Sequence, residues 1–430
     1  MLTIRAEIKS WHQFLPIDIR SVIVIDSFLI EPYQRALLDA DFIAHDPLLP
    51  TLILYRSANF FNLTGGNSDK LYEIRKKILK TMKTCLQPGD PFLFRCTVDL
   101  ANEEINNMRF DCAAQLLKAN QPPLSDRSPT PNLPASHSHH LEFLAETYLG
   151  LSMYHMLQLD ESILIQTRAW AGLSRHLSPT HQESLKSQMY LAAALQAQGK
   201  LNEALKHYQH ITRTWTELTS ADHVITLMSQ MGASTVLRKL GHTTEALQIG
   251  GAVLADRQRV LGTANNTITM DSALNMVLIY HKLGDIESGN AYLDMAERIG
   301  PGHCAGTRRC QVLRFRAMLL AEKGDIEQAI TILRHLLQGA AGKKARPKGK
   351  QVHMVGGEGR EMLWARYDLA KMLRKAKRPG AALEVFRGLV EPRGGGAVAA
   401  VAVRGRALEV AEQVTCVLLE RRDLPREGDT

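Results

Sequence analysis

Apolar residues recur at helical spacing through most of residues 141–338. Within this region, LAAALQAQGKLNEALKHYQHI at 191–211 predicts a helix, a corner at Gly199 and a second helix. Comparable corners follow at Gly241, Gly284 and Gly324, so the spacings are 42, 43 and 40 residues. A period of this length indicates a repeated helical hairpin, and glycine supplies the left-handed backbone that each corner needs.

Small residues occupy matched positions around these corners. Five residues after each corner lie Ala204, Ala246, Gly289 and Ala329. Small side chains at these positions allow the two helices of a hairpin to pack closely. One hairpin cannot bury its apolar face alone, so we expect the hairpins to stack. Weaker copies of the pattern place further corners at Leu157 and Lys377.

The period and the small-residue spacing together resemble the tetratricopeptide repeat family. The similarity is greatest to its version of about 42 residues, found in kinesin light chains and in the C-terminal arrays of fungal NACHT/NB-ARC sensors. The stretch VLGTANNTITMDSALNMVLIYHKLGDIESGNAYL at 260–293 carries most of this resemblance. The resemblance implies an all-α fold, a right-handed superhelical solenoid of antiparallel helix pairs.

Composition divides the chain into segments around this array. Residues 120–140 are rich in Pro and Ser, and residues 339–360 are rich in Gly and Lys. We predict these segments: an N-terminal helical capping region at 1–94, a degenerate hairpin at 95–119, a linker at 120–140, the repeat array at 141–338, a basic insertion at 339–360, degenerate repeat helices at 361–420 and a disordered tail at 421–430.

Charge is uneven along the chain. The formal net charge is +8, and residues 340–430 hold 19 Lys/Arg against 11 Asp/Glu. The run KKARPKGK at 343–350 is the densest basic segment. It fits either a solvated insertion loop or a nuclear-import or phosphate-contacting tether. Aromatic residues that would stack on bases are absent around it, so sequence-specific RNA binding is not expected.

The motifs of common enzyme classes are absent. There is no GxxxxGK[ST] phosphate loop, no HExxH and no GxSxG. We therefore predict a protein that is not an enzyme and has no cofactor, no metal site and no small-molecule substrate. Six scattered cysteines and the lack of a long apolar run favour a cytoplasmic protein without membrane contact, with nuclear location as an alternative.

The resemblance also suggests a binding surface. In that family the first helix of each pair lines a concave face, and counting back from each corner selects its inward positions. The selected set is basic with apolar residues, which suits an acidic peptide. The predicted groove residues are Lys186, Met189, Met228, Met231, Arg238, Lys239, Asn275, His281, Lys282, Arg314, Lys371 and Arg374.

Two functions remain open at this point. The first is a non-catalytic scaffold or adaptor for protein–protein interaction, whose concave groove prefers acidic peptide segments. The alternative is a nuclear regulatory protein that contacts nucleic acid through its basic C-terminal region and recruits partners through its repeats. The first prediction depends on the groove, and the second depends on 340–430.

Overall fold

The computed structural model describes the following residues: 51, 55, 58, 68–87, 89–107, 109–120, 136–261, 267–299, 307–341 and 360–390. This part of the chain forms fifteen helices and contains no strand. The chain divides into two compact units, Met1–Met108 and Arg109–Thr430.

The first unit contains helices α1 (Ser68–Cys85) and α2 (Pro91–Asn106), which pack against each other. Asp90 caps α2, because its Oδ1 accepts a hydrogen bond from the Phe92 amide at 2.7 Å. Buried charge joins the two helices: Arg75 Nη1 lies 3.3 Å from Asp99 Oδ2, which also accepts from Tyr55 Oη at 2.7 Å. The unit therefore has a polar cluster as well as an apolar core.

The second unit begins with α3 (Phe110–Ala119) and continues as six helical hairpins. Each hairpin pairs an even-numbered helix with the odd-numbered helix after it. The helices are α4 (Ser136–His155), α5 (Leu159–His176), α6 (Gln182–Gln198), α7 (Leu201–Leu218), α8 (Val224–Leu240), α9 (Thr243–Leu261), α10 (Thr267–Leu283), α11 (Ile286–Ile299), α12 (Thr307–Lys323), α13 (Ile326–Ala341), α14 (Arg360–Lys375) and α15 (Pro379–Val390).

The packing of these helices defines an inner side of the stack. Each helix from α4 to α15 contacts the next one along the chain, and α4, α6, α8, α10, α12 and α14 also contact one another in sequence. The odd-numbered helices make no comparably close contacts with one another in the described part of the chain. The even-numbered helices therefore form the inner row. The predicted all-α solenoid of antiparallel helix pairs is confirmed.

Four inner helices, α6, α8, α10 and α12, end at glycine corners that share a left-handed backbone conformation. Gly199, Gly241, Gly284 and Gly324 have φ angles of 96°, 95°, 78° and 99°. At the first corner, Gly199 N donates to Gln196 O and Lys200 N donates to Leu195 O at 2.9 Å, the pattern of a Schellman C-cap. The two corners predicted without glycine also form: Leu157 has φ 63° and Lys377 has φ 57°. The predicted corner positions are thus confirmed.

The predicted small residues are buried. Ala204, Ala246 and Ala329 are fully buried. A Cβ added to Gly289 on α11 would stand 3.3 Å from Leu319 Cδ2 on α12, the first helix of the next hairpin. The aromatic and aliphatic residues four positions further on, Tyr208, Leu293 and Leu333, fill the cores between hairpins.

Several predicted segments lie partly or wholly outside the described residues. α4 begins at Ser136, α13 ends at Ala341 and α14 begins at Arg360, so the ends of the predicted linker and of the predicted insertion are helical. Outside the described residues are most of 1–67, together with 121–135, 342–359 and 391–430, which include the basic run at 343–350 and the predicted tail. The predicted segment boundaries stay predictions.

A buried arginine that the sequence did not indicate connects three helices. Arg257 on α9 is 3% exposed. Its Nη1 donates to Ile268 O at 3.0 Å and to Ser272 Oγ at 2.7 Å on α10, and its Nη2 donates to Leu227 O at 3.2 Å on α8. Burial lowers the pKa of Arg257 to about 10. The guanidinium thus holds adjacent hairpins together through neutral oxygens.

Replacing Arg257 with Ala should lower the free energy of unfolding by about 3 kcal/mol, because three buried oxygens lose their donor. Urea unfolding followed by circular dichroism would measure this change. The matched control is Arg259→Ala on the same helix, where an exposed arginine pairs with Asp222 at 3.2 Å; we expect only a small effect there. Equal effects of the two variants would contradict the structural role of Arg257.

A second buried polar contact involves two histidines. Gln188 is buried between two histidines: its Nε2 lies 3.0 Å from His207 Nδ1, and its Oε1 lies 3.2 Å from His210 Nδ1. Burial, with the neighbouring His210, lowers the pKa of His207, and Glu203 opposes this shift. Because the folded-state pKa lies below the unfolded value, protons bind more readily to the unfolded chain.

The stabilisation from neutral His207 should be complete above the ordinary histidine pKa of about 6.5 and should decrease as pH falls below it. Unfolding free energies of the wild type and of His207→Gln at about pH 8 and about pH 5 would test this expectation. We expect the wild type to lose more stability between the two pH values than the variant does. A variant with the same or a steeper loss would contradict the assignment to His207.

Candidate functional site

The inner helices enclose a cavity of about 500 Å³, which we call the inner groove. Its walls come from α6, α8, α10, α12 and α14, from Leu333 on α13, and from the corner between α4 and α5. The lining residues are Leu157, Leu159, Ala197, Lys239, Leu278, His281, Gln311, Arg314, Phe315, Met318, Glu322, Leu333, Trp364, Asp368, Lys371, Met372 and Lys375.

Helical periodicity explains which side chains reach this groove. On α12, the lining residues Gln311, Arg314, Phe315, Met318 and Glu322 recur at intervals of three or four residues and so share one face. The lining residues of α14 occupy nearly the same positions relative to their own corner. The repeat thus places equivalent positions of successive helices on one surface.

Apolar side chains form much of the groove wall. Leu157 and Leu159 come from the first corner, and Leu278, Phe315, Met318, Trp364 and Met372 come from the inner helices. Trp364 packs edge-to-face against Tyr367, with ring centroids 5.7 Å apart. The Arg314 guanidinium lies 5.9 Å from the centroid of the Trp364 ring. Such walls suit apolar side chains of a ligand.

The charges of the groove are partly paired. Arg314 Nε lies 2.8 Å from Asp368 Oδ2, and Lys375 Nζ lies 2.9 Å from Glu322 Oε1. The Lys375 hydrogen bond, despite opposing desolvation, keeps the pKa of Glu322 below its usual value. With four Lys/Arg and two carboxylates among its lining residues, the groove holds two more fixed positive than negative charges.

Lys371 remains available to a ligand, whereas His281 lies beside a carboxylate of the groove. Lys371 makes no ion pair with any residue that the structure describes, and its Nζ lies 5.8 Å from the Tyr367 ring centroid. His281 Nε2 lies 3.8 Å from Glu322 Oε1. Burial lowers the pKa of His281, with Glu322 opposing and Lys371 and Lys375 adding to the decrease. A carboxylate that enters here would meet a lysine whose charge is not already neutralised.

The structure places the predicted groove residues in three environments. Lys239, His281, Arg314 and Lys371 line the inner groove. Met228, Lys282 and Arg374 are exposed on inner helices but do not line this cavity, and Lys186 and Met231 are half-buried outside it, with Lys186 Nζ 3.3 Å from Glu183 Oε1. Arg238 is half-buried, and burial lowers its pKa.

Met189 and Asn275 belong to the protein core. Each is 7% exposed. Met189 packs in the cluster around Tyr208 and Trp215. Asn275 Nδ2 donates to Ser234 Oγ at 3.1 Å, and its Oδ1 accepts from Thr235 Oγ1 at 3.3 Å. These two side chains are already used by the fold, so we remove them from the candidate site.

Several lining residues were absent from the predicted set. Leu157, Phe315, Asp368 and Met372 are the clearest examples. Phe315 and Asp368 both lie nine residues before their corners, a position that counting along the helix could have included. Leu157 had no such indication, because it lies on a corner and not on an inner helix.

Within the described residues, no three His, Cys, Asp or Glu side chains are grouped so that they could hold a metal ion. None of the helices in the same part of the chain combines the length and apolar character needed to cross a membrane.

Comparison with known proteins identifies the repeat. Residues 183–259 match the family model described as tetratricopeptide repeat. No curated protein matches the chain. Among solved structures, a Rap protein complexed with competence and sporulation factor is 11% identical with a TM-score of 0.56, covering 86% of this chain and 97% of that chain.

Two further solved structures match the chain. The apo form of the quorum sensor NprR from B. thuringiensis is 14% identical with a TM-score of 0.55, covering 86% of this chain and 98% of that chain. The nearly identical TPR-like repeats of a putative kinesin light chain from Podosopora anserina are 20% identical with a TM-score of 0.40, covering 49% of this chain and 96% of that chain.

Proposed function

We propose that this chain, which contains tetratricopeptide repeats, is a non-catalytic scaffold that binds an extended or helical segment of a partner protein in the inner groove. The observation that carries the proposal is the combination of apolar walls with a lysine that has no acidic partner among the described residues. Solenoids of stacked helical repeats present extended concave surfaces of this kind to their partners.

The chemistry of the groove defines the segment. Apolar side chains would contact Leu278, Phe315, Met318 and Trp364, and a carboxylate would contact Lys371. Each fully buried apolar side chain is worth about 1.5–3 kcal/mol, whereas a partly exposed ion pair is worth about 0–1 kcal/mol. Affinity therefore comes mainly from the apolar contacts, and the charges select among segments of similar hydrophobicity.

The proposed preference for acidic segments follows from the excess of positive charge in the groove. It extends to fewer acidic residues than the sequence suggested, because ion pairs within the groove use part of that charge. Asp368 and Glu322 already neutralise Arg314 and Lys375. Lys371 is then the lysine that faces an incoming carboxylate. We propose a segment with an acidic residue beside apolar anchors.

The solved neighbours support the scaffold proposal at the level of fold. The Rap protein holds competence and sporulation factor in its solved complex, so a chain with this type of fold can bind a factor. The alternative function, nucleic-acid contact through 343–350 in a nuclear regulator, rests on residues outside the described part of the chain and stays a prediction.

A random peptide library displayed on phage would test the proposal. Peptides selected on the wild-type chain should be enriched in apolar residues beside Asp or Glu. Lys371→Glu should weaken their binding at least about tenfold, because it converts the unpaired cation to a repelling charge. Fluorescence polarisation of a labelled selected peptide would measure the affinity.

The matched control for this experiment is Lys206→Glu. Lys206 is an exposed lysine of the outer helix α7 and does not line the groove. Its substitution makes the same change in net charge and should leave the affinity within about threefold of the wild type. If both variants lose binding equally, or if selected peptides show no acidic or apolar preference, the proposed function is wrong.

The effect of salt should distinguish the charged contact of Lys371 from the apolar contact of Met318. Raising the salt concentration to about 1 M shortens the Debye length to about 3 Å, so the defect of Lys371→Glu should shrink. Met318→Ala should also weaken the selected peptide roughly tenfold through lost apolar contact, and this defect should persist at high salt. A Met318→Ala defect that disappears with salt would contradict the apolar role of Met318.

A further inference from the structure

The corner between α4 and α5 differs from most of the others in one residue. Leu157 takes the left-handed backbone conformation, with φ 63°. Its amide donates to Tyr154 O at 3.0 Å, and the Gln158 amide donates to Met153 O at 2.9 Å. The corner at Gly199 makes the same pair of hydrogen bonds with a glycine in that place. The corner geometry itself therefore does not require a leucine.

A leucine in this conformation is intrinsically unfavourable. Its Cβ comes close to the following carbonyl oxygen, a contact that glycine avoids. Four other corners of the stack use glycine at this position. An observed departure of this kind calls for an explanation in terms of what the side chain does.

The Leu157 side chain contributes to the inner groove. It is half-buried and lines the cavity together with Leu159. Met318 and Trp364, on α12 and α14, line the same cavity, although they are more than 160 positions further along the chain. A glycine at 157 would remove an apolar side chain from this end of the groove.

The other corner without glycine provides a comparison. Lys377, between α14 and α15, also has a left-handed backbone, with φ 57°. It is exposed and does not line the inner groove. Both residues have the unfavourable left-handed backbone, but only Leu157 lines the groove. A comparison of variants at the two positions therefore separates the effect of the backbone conformation from the effect of the side chain.

We propose that Leu157 is a specificity-determining contact residue, which holds an apolar side chain of the bound segment against the α4–α5 end of the inner groove. This inference rests on the proposed function. It assigns the segment an apolar side chain beyond those that contact α10, α12 and α14. The conformational cost at residue 157 is then offset in the complex by the apolar contact that leucine makes.

The test compares Leu157→Gly with the matched control Lys377→Gly in the full chain. Both variants should have a thermal midpoint equal to or slightly above that of the wild type, because both relieve a left-handed non-glycine residue. Only Leu157→Gly should weaken the peptide selected on the wild-type chain, by roughly tenfold. A third variant, Leu157→Met, keeps an apolar side chain and should bind within about threefold of the wild type.

The possible outcomes separate this inference from the proposed function. If Leu157→Gly binds the peptide as tightly as the wild type while Lys371→Glu does not, the role of Leu157 is wrong and the groove remains the binding site. A large drop in thermal midpoint for Leu157→Gly alone would show that the leucine supports the fold, which also overturns the inference. If Lys371→Glu binds normally, the proposed function fails and the inference fails with it.

Discussion

The close approach of neighbouring helices at small residues is the constraint on which the rest of this structure depends. Ala204, Ala246 and Ala329 are fully buried on the outer helices, and a Cβ added to Gly289 would stand 3.3 Å from Leu319 on the first helix of the next hairpin. A longer side chain at any of these positions would push neighbouring helices apart. Because each hairpin buries its remaining apolar face against the next, such a change would alter the spacing of the inner helices and therefore the groove between them.

Much of the repeat could be predicted from the sequence because its determinants are local. A glycine with a left-handed backbone ends a helix within a few residues, and the period is visible without knowledge of distant contacts. Even the corners without glycine follow from the repeated pattern: Leu157 lies 42 residues before Gly199, and Lys377 is indicated by Ala382, the small residue five positions later. The hydrogen bonds of Arg257 could not be predicted, since the Leu227 carbonyl lies 30 positions earlier in the chain and has no sequence signature.

The groove was predicted less well, because helical position defines a face but not the depth of a residue within it. Met189 and Arg314 both lie ten residues before their corners, yet Met189 packs in a core and Arg314 lines the cavity. That difference is decided by how closely the neighbouring helices approach. The ion pairs of the groove also join residues that are distant in sequence, since Arg314 and Asp368 are 54 positions apart. A count of basic residues along the sequence therefore overestimated the positive charge that is available in the groove.

The internal ion pairs also limit what the groove can bind. Glu322 and Asp368 stand among the lysines and the arginine that would attract an acidic partner. Under the proposed function, a segment with a carboxylate would place it beside Lys371 and keep apolar residues against Met318 and Trp364. A dense polyanion would bring further negative charges close to Glu322 and Asp368, where like-charge repulsion opposes binding. If the groove binds a peptide as we propose, the ion pairs that weaken its positive potential would thus favour a mixed acidic and apolar peptide over a nucleic-acid backbone.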